Sequence, residues 1–374
     1  MLLGIDTSTY LEQQRLTHQK YTKDGQVIDP FALFKAQGVT LLRTRIWNRP
    51  FDDEGNPYLA GTCDLDNFIE LAKTLEKYNF EHIVDFHYSD FWTDPSKQFL
   101  PKDWENLTYE ELLKAVYNFT KDSLLKIKSN NINVKMVQVG NEITHGFLWP
   151  FGKTQGGEEK AASYDRFAEL LKSGIQAVKE VCPDAEIIIH LEQSYDQDLY
   201  RDIISNLLSR DVKIDIIGTS YYPFWHHGFD EYFANVDMVQ REFNLKVMNV
   251  ELGFPFTTLD YRQDENGKPK HLVINADNIE DYLKLMPYYP DKEGQAKFIE
   301  EFLKLGKKHH LYGACYWEPL WVPGDGICWA SKAGQKYQND MSKDTRNEWA
   351  NQCLFDYEAN ALPSLFAFSQ KNIK

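Results

Sequence analysis

Short apolar runs rich in β-branched residues alternate with stretches of helical periodicity along almost the whole chain. This alternation is typical of βα units, in which helices connect the strands of a parallel sheet. Eight runs have the length and composition of a strand: Leu2–Ile5, Thr40–Ile46, His82–Phe86, Met136–Val139, Glu186–Ile189, Ile214–Gly218, Val247–Val250 and Gly313–Tyr316. Because eight such strands can close into a ring, the pattern predicts an α/β fold of the (β/α)8, or TIM, barrel type.

The stretches between these runs carry apolar residues at the three- and four-residue spacing of an amphipathic helix. The predicted helices are Leu65–Tyr78, Tyr109–Lys128, Ser163–Val181, Tyr200–Leu208 and Gly294–Lys308. No linker rich in serine, glycine or proline and no low-complexity tract divides the chain. We therefore expect a single barrel domain over residues 1–374.

Long connections follow the second, third, fourth, seventh and eighth predicted strands. They are Phe51–Thr62, Phe91–Leu107, Phe147–Lys160, Thr257–Asp291 and Val322–Leu354. In a parallel barrel these connections leave the C-terminal ends of the strands, where barrel enzymes bind their substrates. The sequence therefore predicts a large binding cleft at that end.

Seven of the eight predicted strands also end in residues that a hydrophobic core would exclude. These ends are Arg43–Asn48, Asp85–Trp92, Gly140–Glu142, His190, Ser220–Trp225, Glu251 and Tyr316–Pro319. In this architecture a floor of polar and aromatic side chains at the C-terminal ends of the strands predicts an active site.

Two of these strand ends deliver a glutamate, Glu142 and Glu251. A pair of carboxyl groups suits acetal hydrolysis, in which one protonates the leaving oxygen and the other attacks the anomeric carbon. Arg45 and Tyr222 are residue types that can hold an ionised nucleophile, and Asn141 can bind a sugar hydroxyl. For a retaining enzyme, the pair should lie roughly 5 to 5.5 Å apart.

The amino-acid composition limits the classes of ligand that the protein can bind. The formal net charge of −15 argues against nucleic acid or an anionic membrane as a partner, because phosphate groups are bound by clustered Lys and Arg. Aromatic residues make up 14% of the chain, and several tryptophans stand in polar, loop-like sequence, as expected for a surface on which sugar rings stack. The five cysteines lack metal-type spacing, so we expect free thiols, with Cys315 buried.

The same polar strand ends could instead form the metal site of a metal-dependent barrel hydrolase. His87, Asp90, His190, Glu142 and Glu251 are all metal-ligand types. The His-x-His pair that amidohydrolase-type barrels carry near the first strand is absent, since that strand runs into Asp-Thr-Ser. Neither GxGxxG nor GxSxG occurs, so nucleotide chemistry and the usual serine hydrolase mechanism have no support.

Longer motifs connect the chain to a known family. They are Gly4–Ser8, Arg43–Asn48, Asp85–Pro95 (DFHYSDFWTDP), Val139–Ile143 with Leu148–Pro150, Ser220–Trp225, Val250–Glu251, Tyr316–Pro319 (YWEP), and Leu354–Asp356 with Leu362–Leu365. Through these motifs the chain resembles, over nearly its whole length, the arabinogalactan endo-β-1,4-galactanases of glycoside hydrolase family 53, in the clan of retaining (β/α)8 glycosidases.

The resemblance implies cleavage of β-1,4-galactan, the pectin side chain, with retention and without a cofactor in the chemistry. By motif, Glu142 matches the general acid/base and Glu251 the nucleophile. The remaining matched positions imply substrate-binding or positioning roles: Asn141 beside the acid/base, Arg45 and Tyr222 beside the nucleophile, Trp317 under the reacting sugar, and His87, Asp90, Trp92, His190 and Trp225 along the cleft.

The chain departs from the family pattern in two loops. Bacterial members often carry a calcium loop after the seventh strand, but Gln263–His271 shows no clear alternation of oxygen ligands, so the usual motif is not recognisable and a structural calcium stays an open alternative. The resemblance itself implies no cofactor. The loop around Leu148–Gly152 resembles the longer version in fungal relatives. Because such loops set the length of the cleft, the resemblance does not fix chain-length preference.

The sequence also gives expectations about the cellular compartment, the oligomeric state and alternative functions of the protein. No basic segment and cleavage site of a signal peptide is present, so we expect a cytoplasmic protein unless a leader has been removed. We expect a monomer acting on β-1,4-galactan or galacto-oligosaccharides, without nucleic-acid or membrane partners. The alternatives to a galactanase are an intracellular glycosidase for short β-galacto-oligosaccharides, a non-catalytic carbohydrate-binding barrel and the metal-dependent hydrolase.

Overall fold

The computed structural model describes residues 1–59, 61, 63–155, 160–263, 272–275, 279–339, 341 and 345–373. Within these ranges eight parallel strands form a closed barrel: β1 Leu2–Asp6, β2 Leu41–Ile46, β3 Glu81–Phe86, β4 Val134–Val139, β5 Glu186–Leu191, β6 Ile216–Tyr221, β7 Lys246–Leu252 and β8 Gly313–Tyr316. Each strand pairs with the next one along the chain, and β8 pairs with β1. The predicted (β/α)8 barrel is confirmed, and every predicted strand overlaps an observed one.

Helices and short turns connect the strands. The α-helices are Tyr10–Thr17, Pro30–Ala36, Leu65–Thr74, Tyr109–Ser129, Lys160–Val181, Gln197–Leu208, Pro223–His226, Phe229–Phe243, Ile279–Leu283, Lys292–Lys308, Lys332–Tyr337 and Pro363–Ala367. Short 3-10 helices are Glu76–Tyr78, Lys102–Trp104, Ala350–Gln352 and Gln370–Asn372. Two antiparallel hairpins pair Tyr21–Lys23 with Gln26–Ile28, and Gly146–Phe147 with Gly152–Lys153. In the described ranges no helix is both long and apolar enough to cross a membrane.

All five predicted helices are present, although the first is divided after Thr74 into an α-helix and a 3-10 turn. Side chains fix where several of these helices begin. Asp64, Asp196 and Asp291 each accept hydrogen bonds from backbone N–H groups of the first turn, and Thr108 forms a reciprocal capping box with Glu111. The other α-helices of the described ranges were not predicted: Tyr10–Thr17, Pro30–Ala36, Pro223–His226, Phe229–Phe243, Ile279–Leu283, Lys332–Tyr337 and Pro363–Ala367.

Alternation along the strands divides the apolar residues into two layers. Residues that point into the barrel near the N-terminal ends of the strands form a separate inner cluster: Leu41, Ile83, Met136, Ile188, Ile216, Met248, Val250 and Cys315. Residues on the outer faces pack in the much larger cluster between the strands and the helices, as Leu42 does. All five cysteines are free thiols, and Cys315 is buried as predicted.

The side chains inside the barrel change from apolar to polar two residues further along the strands. On β2 the inward position after Leu41 is Arg43, on β3 it is Asp85, on β4 it is Gln138 and on β5 it is His190. All of these side chains are buried. The inner cluster therefore serves as an apolar base, and a polar layer lies directly above it, toward the C-terminal ends of the strands.

The connection Thr257–Asp291 after β7 is only partly described. Residues 264–271, which make up most of the stretch considered for calcium, lie outside the described ranges, and so do residues 276–278. What the sequence suggests about calcium in this loop therefore stays a prediction.

The apolar base should be a major source of stability. We expect Ile188→Ala to lower the free energy of unfolding by about 2 to 5 kcal/mol, because the closed ring around the deleted methyl groups cannot collapse into the cavity. The matched control is Leu125→Ala, whose side chain is largely exposed on the helix Tyr109–Ser129 and should change the value by about 0.5 kcal/mol or less. Urea unfolding measures both, and equal losses would contradict this account of the core.

Candidate active site

A buried arginine stands at the centre of the polar layer. The side chain of Arg43, on β2, is 1% exposed. Its Nη1 lies 2.8 Å from Oδ2 of Asp6 on β1 and 3.0 Å from Oε1 of Glu251 on β7, and its Nη2 lies 2.8 Å from Oδ2 of Asp85 on β3. One guanidinium therefore links carboxylates from three other strands. Burial alone raises the pKa of Asp6, but Arg43 and Arg45 outweigh it and hold that pKa below its usual value.

The same guanidinium also binds two amides at β4. Arg43 Nε donates to Gln138 Oε1 at 3.1 Å, and Nη2 donates to Asn141 Oδ1 at 2.9 Å. The amide of Asn141 in turn donates to the carbonyl of Thr93 at 3.0 Å. With its oxygen and nitrogen both engaged, Asn141 is fixed at the wall of the site rather than free to rotate.

Glu251 combines burial with two favourable partners. Burial, together with the charges of Asp6 and Asp85, raises the pKa of this carboxyl above its usual value, and Arg43 and the hydroxyl of Tyr222 limit that rise. Tyr222, the residue after β6, donates to Glu251 Oε2 at 3.0 Å. Each oxygen of the carboxylate is therefore held by a different group, which fixes its orientation.

The expectation that Arg45 would be the cationic partner of Glu251 is wrong. Arg45 Nη1 lies 2.7 Å from Glu318 Oε1 and 3.6 Å from Asp6 Oδ1. Arg43 and Arg45 both point inward, but their positions on β2 differ by about 6.6 Å along the strand, so they reach different carboxylates. Arg45 still lines the cavity, and its guanidinium lies 4.1 Å from the ring centre of Trp92.

Glu142 occupies a tight turn after β4. Gly140 has φ +87° and Glu142 has φ +50°, both in the left-handed region. A Cβ at position 140 would lie 2.7 Å from Cγ2 of Ile143, so the turn requires glycine there. Burial, the charge of Glu251 and the charge of Glu192 together raise the pKa of Glu142 well above its usual value. Glu142 has no arginine or lysine among its ion pairs in the described ranges.

A hydrogen-bond chain from beneath the floor orients Glu142. Ser220 Oγ donates to Glu142 Oε1 at 2.6 Å and lies 2.9 Å from Nε2 of His190. Burial lowers the pKa of His190 well below its usual value, so the ring is neutral. Because the Ser220 hydroxyl uses its proton on Glu142, it accepts from His190 Nε2–H, and Nδ1 is left to accept from the backbone N–H of Glu142 at 3.3 Å.

These residues border a cavity of about 520 Å³. The predicted site residues that line it are Glu142, Glu251, Arg45, His87, Trp92, Asn141, Tyr222, Trp225 and Trp317. The polar strand ends therefore meet in one place, as the barrel pattern predicts.

Asp90 and His190 do not line the cavity, which corrects the prediction that they face the cleft. His190 lies below the floor, where it supports Ser220 and Glu142 as described above. Asp90 accepts from the backbone N–H groups of Arg49 and Lys102 at 2.8 and 2.9 Å, and burial raises its pKa to about 6. Its carboxylate thus joins two loops. The motif Asp85–Pro95 places Asp90 near the end of a strand, but it does not tell whether the side chain contacts substrate or another loop.

Aromatic rings form one wall of the cavity. Trp317 has its ring centre 6.1 Å from that of Trp92, 5.7 Å from that of Trp321 and 5.2 Å from that of Trp349. Trp349 also lies 5.5 Å from Trp225, whose side chain is 48% exposed at the rim. The wall offers several flat apolar faces at different depths, as a chain of sugar rings requires.

Sequence reasoning did not select Arg43, Glu192 or Trp349 as site residues. The inward register of Arg43 was visible from its alternation with Arg45, but which of the two would reach Glu251 was not. Trp349 comes from the long connection after β8, and Glu192 directly follows β5. No local pattern marks either residue, because only the folding of the loops places them at the cavity.

The metal alternative finds no ligand set in the part of the chain that the structure describes: no three His, Cys, Asp or Glu side chains are grouped so that they could hold an ion. His87, one candidate ligand, has Nε2 3.2 Å from Asp85 Oδ2, and its Nδ1 lies 3.2 Å from the indole nitrogen of Trp47. Both ring nitrogens of His87 are therefore engaged by protein groups in the polar layer. Burial also lowers the pKa of His87.

Comparison with known proteins gives one consistent family. A family model described as glycosyl hydrolase family 53 matches residues 2–368. The endo-β-1,4-galactanase of Bacillus subtilis (strain 168) is 30% identical, over 98% of this chain and 84% of the relative. The solved GH53 catalytic domain of Ignisphaera aggregans has a TM-score of 0.85 and 34% identity, covering 98% of this chain and 95% of that one. A structure of fungal β-1,4-galactanases has a TM-score of 0.75 and 25% identity, with 98% of both chains covered.

The charge network around Arg43 makes a prediction about stability. Arg43→Met removes the nearest cation from the buried carboxylates of Asp6 and Glu251, so we expect the free energy of unfolding to fall by about 3 to 5 kcal/mol at neutral pH. The loss should shrink as the pH falls. Wild-type Asp6, with its lowered pKa, stabilises the fold above its unfolded-state pKa and loses that contribution on acidification, whereas the variant, in which Asp6 keeps the more distant Arg45, has a smaller contribution to lose.

Urea unfolding at neutral and acidic pH measures this difference. The control is Arg201→Met, since Arg201 forms a partly exposed pair with Glu242 that is worth about 1 kcal/mol or less. A pH-independent loss in Arg43→Met would show that the deleted packing, and not the charge, carries the effect.

Proposed function

This chain belongs to glycosyl hydrolase family 53 and is a glycoside hydrolase, and we propose that it cleaves β-1,4-galactan internally with retention of anomeric configuration. One observation carries the proposal: two glutamates face the same cavity in opposite electrostatic settings. Glu251 is paired with a guanidinium, whereas the side chain of Glu142 accepts, among the described residues, a hydrogen bond from the Ser220 hydroxyl and pairs with no cation. Environments that separate two carboxyl groups in this way distinguish the nucleophile from the acid.

In the first step Glu251 attacks the anomeric carbon. Arg43 and Tyr222 favour its ionised form and fix both of its oxygens. Glu142, whose pKa is raised by burial and by its acidic neighbours, gives its proton to the oxygen of the breaking glycosidic bond. The leaving galactan chain departs with a free hydroxyl, and the galactosyl unit remains as an ester of Glu251.

In the second step Glu142 acts as a base. It is now ionised, and it removes a proton from a water molecule that attacks the same carbon and displaces Glu251. Two inversions give net retention. The step returns the proton to Glu142, so the pair is ready for another cycle without an external acid.

The substrate class is supported by the aromatic wall and by the relatives. Trp92, Trp317 and Trp349 provide flat faces for several sugar rings along one side of the cavity, which suits a polymer. The Bacillus subtilis relative is named an endo-β-1,4-galactanase, and the fungal structure is described as a β-1,4-galactanase. Both names agree with the linkage proposed for this chain.

Reducing-sugar release from linear β-1,4-galactan tests the proposal, with β-1,3-galactan and other plant glycans in parallel. We expect release from the β-1,4-linked polymer, with a rapid loss of viscosity because internal bonds are cut. Activity confined to short oligomers would favour the oligosaccharide-processing alternative instead. Binding of galactan without any release would favour a carbohydrate-binding role.

Glu142→Gln and Glu251→Gln should each reduce turnover of β-1,4-galactan by about 10²- to 10⁴-fold or more. A nitrophenyl β-galactobioside separates the two roles, because nitrophenolate leaves without protonation. Glu142→Gln should still form the ester and release a burst of nitrophenolate, whereas Glu251→Gln should release none. Glu180→Gln, on the outer surface, is the matched control with normal turnover. Near-normal galactan hydrolysis in either cavity variant would refute the assignment.

The hydrogen bond from Ser220 predicts a shift in the pH profile. A donor to the carboxylate favours ionisation of Glu142, so Ser220→Ala should raise the pKa of Glu142 further. Because Glu142 must be protonated in the first step, the alkaline limb of kcat/KM should move to higher pH. Steady-state kinetics on soluble galactan across the pH range measures it. A limb that stays in place, or moves to lower pH, would assign it to another group.

A further inference from the structure

A third carboxylate lines the cavity and has no role in the two chemical steps. Glu192 is 7% exposed, and its backbone N–H donates to Thr144 Oγ1 at 3.0 Å, which fixes its position. Its Oε1 is buried and accepts no hydrogen bond from the described residues. A buried carboxylate oxygen without a donor is costly, so an acceptor left open in the wall of a substrate cavity points to a donor that arrives with the ligand.

His226 completes the arrangement from the neighbouring strand end. Its Nδ1 accepts from the backbone N–H of Tyr222 at 3.0 Å, so in the neutral ring Nε2 carries the proton. Nε2 lies 3.6 Å from Glu192 Oε2, which is too long for a direct hydrogen bond. Glu192 and His226 thus present an acceptor and a donor on the same side of the cavity, and the hydroxyls of a sugar can both donate and accept.

The order of strands places this pair on a definite side of the catalytic glutamates. Glu142 follows β4 and Glu251 lies on β7, so the shorter arc of the barrel between them consists of β5 and β6. Glu192 follows β5 and His226 follows β6. The longer arc, through β8, β1, β2 and β3, carries Trp92, Trp317 and Trp321, whereas Tyr222 and Trp225 follow β6 on the shorter arc.

We propose that Glu192 and His226 bind the sugar on the leaving-group side of the cleaved bond, an inference that rests on the proposed function. The glycosidic oxygen must lie next to its proton donor, Glu142. With the attacked sugar over Trp317 on the longer arc, the departing sugar lies over the shorter one. There the open Oε1 of Glu192 accepts a hydroxyl of the departing sugar, and His226 Nε2–H donates to an oxygen of the same ring.

Transfer to a sugar acceptor isolates this binding step. After a nitrophenyl β-galactobioside has formed the ester on Glu251, either water or added galactobiose can attack it, and galactobiose must occupy the leaving-group side. Glu142 removes the proton from either attacker, so the ratio of transfer to hydrolysis cancels its contribution. We expect Glu192→Ala to lower this ratio about tenfold, as expected for a lost hydrogen bond to a charged acceptor, and Glu192→Gln to lower it less.

The matched control is Glu348→Gln, which removes a carboxylate from the same cavity but on the connection after β8. Its ratio should equal that of the wild type. An unchanged ratio in Glu192→Ala, with or without a displaced alkaline limb of kcat/KM, would overturn the inference, since Glu192 would then act only through the charge of Glu142. Glu192→Gln preserves size and provides the reading if the alanine variant fails to fold.

The two proposals fail in different ways. A wild-type protein that neither hydrolyses the galactobioside nor releases sugar from β-1,4-galactan overturns both. A wild-type protein that does both, combined with normal transfer ratios in Glu192→Ala and Glu192→Gln, overturns the leaving-group site alone.

Discussion

The burial of Arg43 among three carboxylates is the constraint on which the rest of the site depends. A cation with 1% exposure inside a barrel is stabilised only when carboxylates and other acceptors surround it, and here the acceptors come from β1, β3, β4 and β7. The strands must therefore hold a fixed stagger, with the apolar base below keeping the ring filled. Stability and chemistry share the same interaction, because one of the three carboxylates is Glu251.

The difference between the two glutamates follows from that arrangement. Glu251 shares Arg43 and accepts from Tyr222, whereas Glu142 sits on a left-handed turn and meets the negative charges of Glu251 and Glu192. The neutral His190 below it supplies a hydrogen-bond chain without adding charge. Two residues of the same type thus acquire different proton affinities through position alone, which is the requirement of a double displacement.

Much of this could be predicted from the pattern of residues. The eight strands, five of the helices and the meeting of polar strand ends follow from periodicities of two and 3.6 residues, which report which face of an element is buried. The free thiols, with Cys315 buried, followed from the spacing of the cysteines. The convergence of Glu142, Glu251, Tyr222, Asn141 and Trp317, and the family itself, followed from motifs in the order expected for a barrel. These features depend on local sequence and on one global rule, closure of the sheet.

What the sequence determined by itself was therefore the barrel and the set of side chains at its mouth. Only the tertiary structure decided which side chains touch. Periodicity predicts which face of a strand a side chain occupies, but not which residue it contacts on the opposite side of the barrel. Only the structure shows that Arg43, and not Arg45, contacts Glu251. His190 supports the floor from below, Asp90 joins two loops, and Glu192 and Trp349 line the cavity. The physical reason is that strand stagger and loop paths set these distances, and both depend on contacts between residues far apart in the chain.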